Sequence, residues 1–255
     1  MGSLDRKLQR AIVSLGDGTL RRDYAVDFFL REQPGPLACA LDALALRAEQ
    51  GDEGAKEALV AVVDALNDSR TLNVVQLLRE EIAGAGLVAL DRLLRRPLRP
   101  WSPSIAPRSQ RPPDYGYGRP LTLGERKSLA RRPDRNLLER LLADPHPDVI
   151  RGVLANPRLT EDDVVRFVAR TPSHPELLAE VARTTRWAHR PRVRLALILN
   201  PFSPLDLALP LAALLLRHEL RLVVESTTVL PALRAACLEH LRRKYPHETD
   251  DPALQ

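Results

Sequence analysis

Twice in this chain an apolar helix-like run is cut off by the same two residues. Val149-Ile150-Arg151-Gly152-Val153-Leu154-Ala155-Asn156-Pro157 and Val193-Arg194-Leu195-Ala196-Leu197-Ile198-Leu199-Asn200-Pro201 place apolar residues at the same four distances before asparagine, with Gly or Ala at a fifth. Proline cannot continue a helix and pushes the residue before it out of the α region, so Asn156 and Asn200 are stop positions. A helix-start signal follows each stop. Thr160-Glu161-Asp162-Asp163 offers a cap and an acidic first turn, and Ser203-Pro204-Leu205-Asp206 offers a cap with proline after it. Ser128-Leu129-Ala130-Arg131-Arg132-Pro133 is a degenerate earlier copy. His174-Pro175-Glu176-Leu177-Leu178-Ala179-Glu180-Val181-Ala182 is an intermediate unit without Asn-Pro. Each unit is too small to bury its own apolar face, so neighbouring units must stack to make a core.

Composition agrees with helices. Only ten of 255 residues are aromatic, and Pro (22) outnumbers Gly (12), so the core must be Leu, Val, Ala and Ile, which suits packed helices better than a β-sandwich or barrel. Residues 1–95 carry several helical stripes: Leu4, Leu8, Ala11, Ile12 and Leu15; Leu37, Leu41, Leu44 and Ala48; Ala58, Val62, Ala65 and Leu66; Leu72, Val75, Leu78 and Ile82. Gly16-Asp17-Gly18, Pro34-Gly35-Pro36 and Gly84 with Gly86 punctuate them. These helices read as an N-terminal HEAT-like domain over 1–95. Seven prolines between 97 and 120 rule out a regular helix there. Residues 96–120 read as a proline-rich basic linker, with a docking strip as the alternative because Trp101, Tyr115 and Tyr117 stand among arginines. Residues 121–243 read as the repeat domain and 244–255 as a frayed tail. The fold class expected is all-α, an α-solenoid of stacked helical repeats with an N-terminal helical domain.

The segment around 121–225 resembles the leucine-rich repeat variant family. The likeness is carried by Asp144-Pro145-His146-Pro147-Asp148-Val149, by Val153-Leu154-Ala155-Asn156-Pro157, and by Val193-Arg194 with Asn200-Pro201. The resemblance implies a HEAT-like solenoid of units of about two dozen residues, and a binding scaffold with no named substrate. Some members hold an iron–sulfur centre in an N-terminal cysteine cluster. Here the N-terminal part has only Cys39, so no cofactor is expected.

Charge is uneven. Residues 1–95 hold 12 basic and 15 acidic residues, 96–143 hold 11 and 4, and 144–255 hold 15 and 14, so the middle segment carries the basic excess. Only four of the 38 basic residues are lysines, and arginine suits planar contact with carboxylate or phosphate. Arg131 and Arg132 stand in the first repeat, and Arg183, Arg186, Arg190 and Arg194 surround Trp187. These seven are the candidate macromolecule-binding residues. The leading function is a non-catalytic scaffold for a protein partner. The competing one is a nucleic-acid-binding solenoid, with arginines on phosphates and Trp187 stacking on a base.

Other chemistry is not indicated. Cys237 and His240 share a helical face but lack the further ligands of a zinc site, and they read as a half-buried cysteine beside a surface histidine. His146, His174 and His189 recur beside prolines and read as turn residues. Acid pairs such as Asp162-Asp163 suit a helix N-terminus, and no phosphate-binding loop or catalytic signature stands out. No secretory signal or membrane span is expected: the longest apolar stretch, Leu205 to Leu216, contains Asp206 and Pro210. Two distant cysteines fit a reducing, cytoplasmic compartment.

Overall fold

The computed structural model describes residues 3–95 and 111–244. Among them the regular structure is helical and no strand occurs. The chain starts with α1 (Leu4–Ser14), α2 (Gly18–Arg31), α3 (Pro34–Glu49), α4 (Glu53–Leu66), α5 (Leu72–Ala85) and α6 (Val88–Leu94). There follow α7 (Leu123–Ala130), α8 (Arg135–Leu141), α9 (Pro147–Leu154), α10 (Glu161–Val168), α11 (Pro175–Arg183), α12 (Thr185–Ala188) and α13 (Pro191–Leu199). The last three are α14 (Leu205–Ala212), α15 (Arg217–Glu225) and α16 (Pro231–Lys244).

Two compact units divide the chain. One contains α1–α6 and also α14–α16, and the other contains, among the described residues, 111–204. The segment read from sequence as one repeat domain, 121–243, is therefore divided at Pro204, and its last three helices complete the N-terminal unit. The reason lies in α14. Leu205, Leu207, Ala208, Leu209, Leu211 and Ala212 are all buried, and a helix apolar all round needs cover on every side. It packs on α4, α6 and α16. The linker reading of 96–120 also changes: residues 111–120 belong with the second unit. Trp101 and the tail after Lys244 lie outside the described residues.

In the first unit the stripe Leu37, Leu41, Leu44 and Ala48 is buried, as are Ala58, Val62, Ala65 and Leu66. Asp17 caps α2 by accepting from the Thr19 and Leu20 amides at 2.8 and 3.0 Å, and Asp52 caps α4 through Ala55. Gly86, at φ +65°, ends α5 in the left-handed conformation that glycine adopts freely. Leu72, expected in the buried stripe of α5, is exposed. It sits at the first position of the helix, and there the buried residue is its neighbour Thr71, whose hydroxyl donates to Ala65 O.

A buried polar cluster ties α16 to α3 and α6. Arg92 donates to both Glu49 oxygens at 2.6 Å, and His240 Nδ1 lies 3.7 Å from Glu49 Oε1. At that distance it makes no hydrogen bond, and neither ring nitrogen finds a partner. Cys237 and His240 are thus both buried, not a half-buried thiol beside a surface imidazole. Burial pushes the Cys237 thiol up to about 12.

In the second unit helices run in two rows. The first row is α7, α9 and α11, with α7 packed on α9 and α9 on α11. The second is α8, α10 and α13: Arg135 at the start of α8 bonds Asp163 at the start of α10, and α10 packs on α13. Both asparagine stops behave as expected, with α9 ending at Leu154 and α13 at Leu199 and Asn200 extended at φ −78°, ψ 118°.

What the asparagines do is further than the sequence reaches. Asn156 Nδ2 donates to Ala130 O at 2.8 Å and to Arg132 O at 2.9 Å, the carbonyls that end α7. Its Oδ1 accepts from the Arg158 amide. Asn200 makes the same three bonds one row over, to Val168 O, to Arg170 O and from the Phe202 amide. Helix ends leave carbonyls without intrahelical partners, and each asparagine fills two of them on the neighbouring helix. The two copies lie in different rows, so their similarity records a shared capping device and not one translated unit.

Replacing Asn200 by Ala should cost about 2 kcal/mol, because buried acceptors lose their donors. Asn200→Asp keeps the acceptor, loses both donors and adds a buried charge, and should cost at least as much. Denaturant unfolding of both variants measures this. A second expectation concerns pH. Burial holds His240 below its usual 6.5, so the unfolded chain takes up a proton that the fold resists, and stability falls as pH drops below that value. Burial opposes ionisation of Glu49, but its contact with His240 and the Arg92 bonds more than offset this, and its pKa is lowered from 4.5. That contribution is present above 4.5 and is lost below it, in the same direction. The thermal midpoint should therefore fall between about pH 7.5 and about pH 5, and His240→Leu should flatten that upper part of the profile.

Candidate functional site

Helix ends and helix starts of the second unit share one edge, because short turns join the end of α7 to the start of α8, α9 to α10 and α12 to α13. Most of the arginines singled out in the sequence gather there, and most already have partners. Trp187 is 3% exposed, and its indole N–H donates to Leu154 O at 2.8 Å. It caps α9 and cannot offer a face to a base. Arg186 lies 4.4 Å over the indole ring and donates to Asn156 O and Leu159 O. In the unit that lacks Asn-Pro, an indole and a guanidinium therefore take the role that an asparagine amide plays elsewhere. Arg170 repeats the device on α8 through Leu142 O, at 3.0 Å.

The remaining candidates divide. Arg190 stands 3.9 Å from Glu161 and Arg183 3.8 Å from Glu180. Arg194 is buried at 7% exposure. Its neighbour Arg192 reaches Asp162 at 2.7 Å. Further along, Arg151 pairs with Glu180, and Arg135 with Asp163, whose carboxyl that bond holds well below the carboxylate range. Arg131 and Arg132 differ: both are exposed, and neither side chain has a hydrogen bond or ion pair among the described residues.

Arg132 faces the segment 111–120, which is built as a strap. Asp114 Oδ1 accepts from the Gly116 amide at 2.8 Å, and Gly116 and Gly118 have φ of +82° and +67°, a backbone open to glycine at little cost. These turns send Tyr115 inward and Tyr117 outward. Tyr115 is 6% exposed and its hydroxyl donates to Asp144. Asp144, fully buried, also takes two 2.6 Å contacts from Arg126 and one from the His146 amide. Burial raises the Tyr115 pKa, and the adjacent Asp144 carboxylate adds to the shift. The far end of the strap is pinned by Arg119 on Glu125, whose carboxyl is pulled down to about 2 by that pairing and by the Thr122 capping box. Of the two aromatics described in this segment Tyr115 packs against the unit, and Tyr117 is 52% exposed.

Between strap and α8 lies a cleft of about 290 Å³ lined by Tyr115, Gly116, Tyr117, Arg132, Asp134, Asn136, Leu137 and Arg140. Arg140 is close to the strap: a Cβ on Gly116 would stand 3.1 Å from its guanidinium. Like Arg132, Arg140 is exposed and unpaired among the described residues. Asp134 is occupied in capping α8 through the Leu137 amide. A second cleft, about 480 Å³, is lined by Arg126, His146, His174 and Glu176 with three prolines. His146 Nδ1 accepts from the Asp148 amide, so this histidine, read from sequence as a turn residue, is the N-cap of α9. No group of three or more His, Cys, Asp or Glu side chains placed to hold a metal occurs among the described residues. No helix there is long and apolar enough to cross a membrane.

No family model, curated protein or solved structure matches this chain.

Tyr115→Phe should loosen the strap without unfolding the unit, since Asp144 keeps Arg126 and the His146 amide. Hydrogen exchange should speed up over 114–118 and stay unchanged in α9 and α10.

Proposed function

We propose that the chain is a non-catalytic helical scaffold that engages another protein, with the unit around 111–204 acting as a short α-solenoid of the leucine-rich repeat variant or HEAT-like kind. The observation that carries this reading is the double row of short helices. Each is fixed to the next by side-chain bonds at its end, so surface side chains are held on a rigid frame. Rigid presentation lowers the entropy cost of binding a partner. The cysteines, Cys39 exposed and Cys237 buried, are both free, which supports a reducing, cytoplasmic setting.

The nucleic-acid alternative loses its main support. Trp187 is a buried cap, and the arginines of 183–194 are paired with acids or carbonyls or buried. What favours it still is the exposure of Arg131, Arg132 and Arg140.

Two measurements on the full chain decide between these readings. Selection from a displayed random-peptide library should enrich a defined sequence class. Binding to a mixed oligonucleotide pool should be weak and change little with salt. A contact to six or more phosphates would lose about a thousandfold in affinity between about 50 and 200 mM salt, and that result, or a library without enrichment, overturns the scaffold reading.

A further inference from the structure

The middle segment supplies the chain's basic excess, and the structure shows partners for four of its basic residues. Arg119 pairs with Glu125, Arg126 with Asp144, Lys127 with Asp148 and Arg135 with Asp163. Among the described residues Arg131, Arg132 and Arg140 remain without acids, and Arg132 and Arg140 line the same cleft between the strap and α8. Asp134, the acid in that wall, is engaged with the Leu137 amide. Tyr117 contributes an exposed ring and Asn136 a side-chain amide.

We propose that this cleft binds an acidic peptide segment of a protein partner, with Arg132 and Arg140 on its carboxylates and Tyr117 against its backbone or an apolar side chain. The inference rests on the scaffold reading and deepens it by assigning the chemistry of the partner. Charge complementarity selects the occupant. Guanidinium forks match carboxylates in plane and bond them through two donors. A cleft of about 290 Å³ has room for one or two side chains, whereas nucleic acid binding draws on a series of phosphate contacts. The strap sets the geometry: with Tyr115 anchored on Asp144, the two left-handed glycines fix Tyr117 at the mouth.

The test uses the full chain and a fluorescein-labelled peptide, Gly-Glu-Asp-Leu-Glu-Glu-Gly, beside its Gln/Asn counterpart and a labelled single-stranded octanucleotide. At near-physiological salt the acidic peptide should bind in the micromolar range, and the neutral peptide and the octanucleotide at least about tenfold more weakly. Arg132→Ala and Arg140→Ala should each weaken the acidic peptide by about tenfold. Tyr117→Ala should weaken it less, and Arg158→Ala, an exposed arginine outside the cleft, should change nothing. All four side chains are exposed, and unchanged far-UV circular dichroism and thermal midpoint confirm that the variants fold. No binding of the acidic peptide, an affinity in the Arg132 and Arg140 variants unchanged from that of the original chain, or tighter binding of the octanucleotide each overturns the proposal. If library-selected peptides still bind the Arg132/Arg140 double variant with full affinity, the cleft assignment falls and the scaffold reading survives. If the library yields no binder, both fall.

Discussion

The second unit depends on one interaction: a side-chain donor from one helix bonding the orphan carbonyls at the end of its neighbour. Short helices make this pressing. In α7 through α10, of seven or eight residues each, the four C-terminal carbonyls are about half of all the carbonyls present. Left buried without donors they would cost more than the apolar faces return. Asn156, Arg170, Trp187 with Arg186, and Asn200 supply those donors to α7, α8, α9 and α10 in turn. The same bonds set the register of each helix against the one before it, so packing and capping are a single constraint.

That constraint decides what is left for function. An arginine bound to a carbonyl or a carboxylate across the stack is part of the frame, and this removes most of the 183–194 cluster from any outward role. Among the described residues of this unit Arg131, Arg132 and Arg140 keep their freedom near a strap that is itself held by one buried tyrosine, and Arg158 does so further along. The proposed contact surface is thus defined by subtraction: it lies where the internal pairing stops.

The asparagine–proline stops, the Thr160 cap and the stripes of α3 and α4 were all legible in the sequence, because each depends on residues within one turn of one another. The use of Trp187 and Arg186 as a cap was not. It replaces an amide by chemically different donors, and no alignment of like with like reveals it. The placement of α14–α16 was also hidden. Their apolar pattern says that they are buried, but the surface that buries them is more than a hundred residues away in sequence. In the cleft, Arg132 was a candidate from its place in the first repeat and Tyr117 from the alternative docking strip, while Arg140 was not among the candidates. Their convergence follows from the turn at Gly116 and Gly118, whose direction depends on where Tyr115 finds its acid.

The first unit is discontinuous, and this bears on how the molecule is made. The faces of α3, α4 and α6 that α14 and α16 cover, including the Glu49–Arg92 pair beneath His240, have no cover until residues 205–244 have been synthesised. The intervening unit is synthesised in full before then. Closure of this core therefore waits for α14–α16, and a nascent chain halted before residue 205 leaves an apolar face of α3, α4 and α6 open to misassociation.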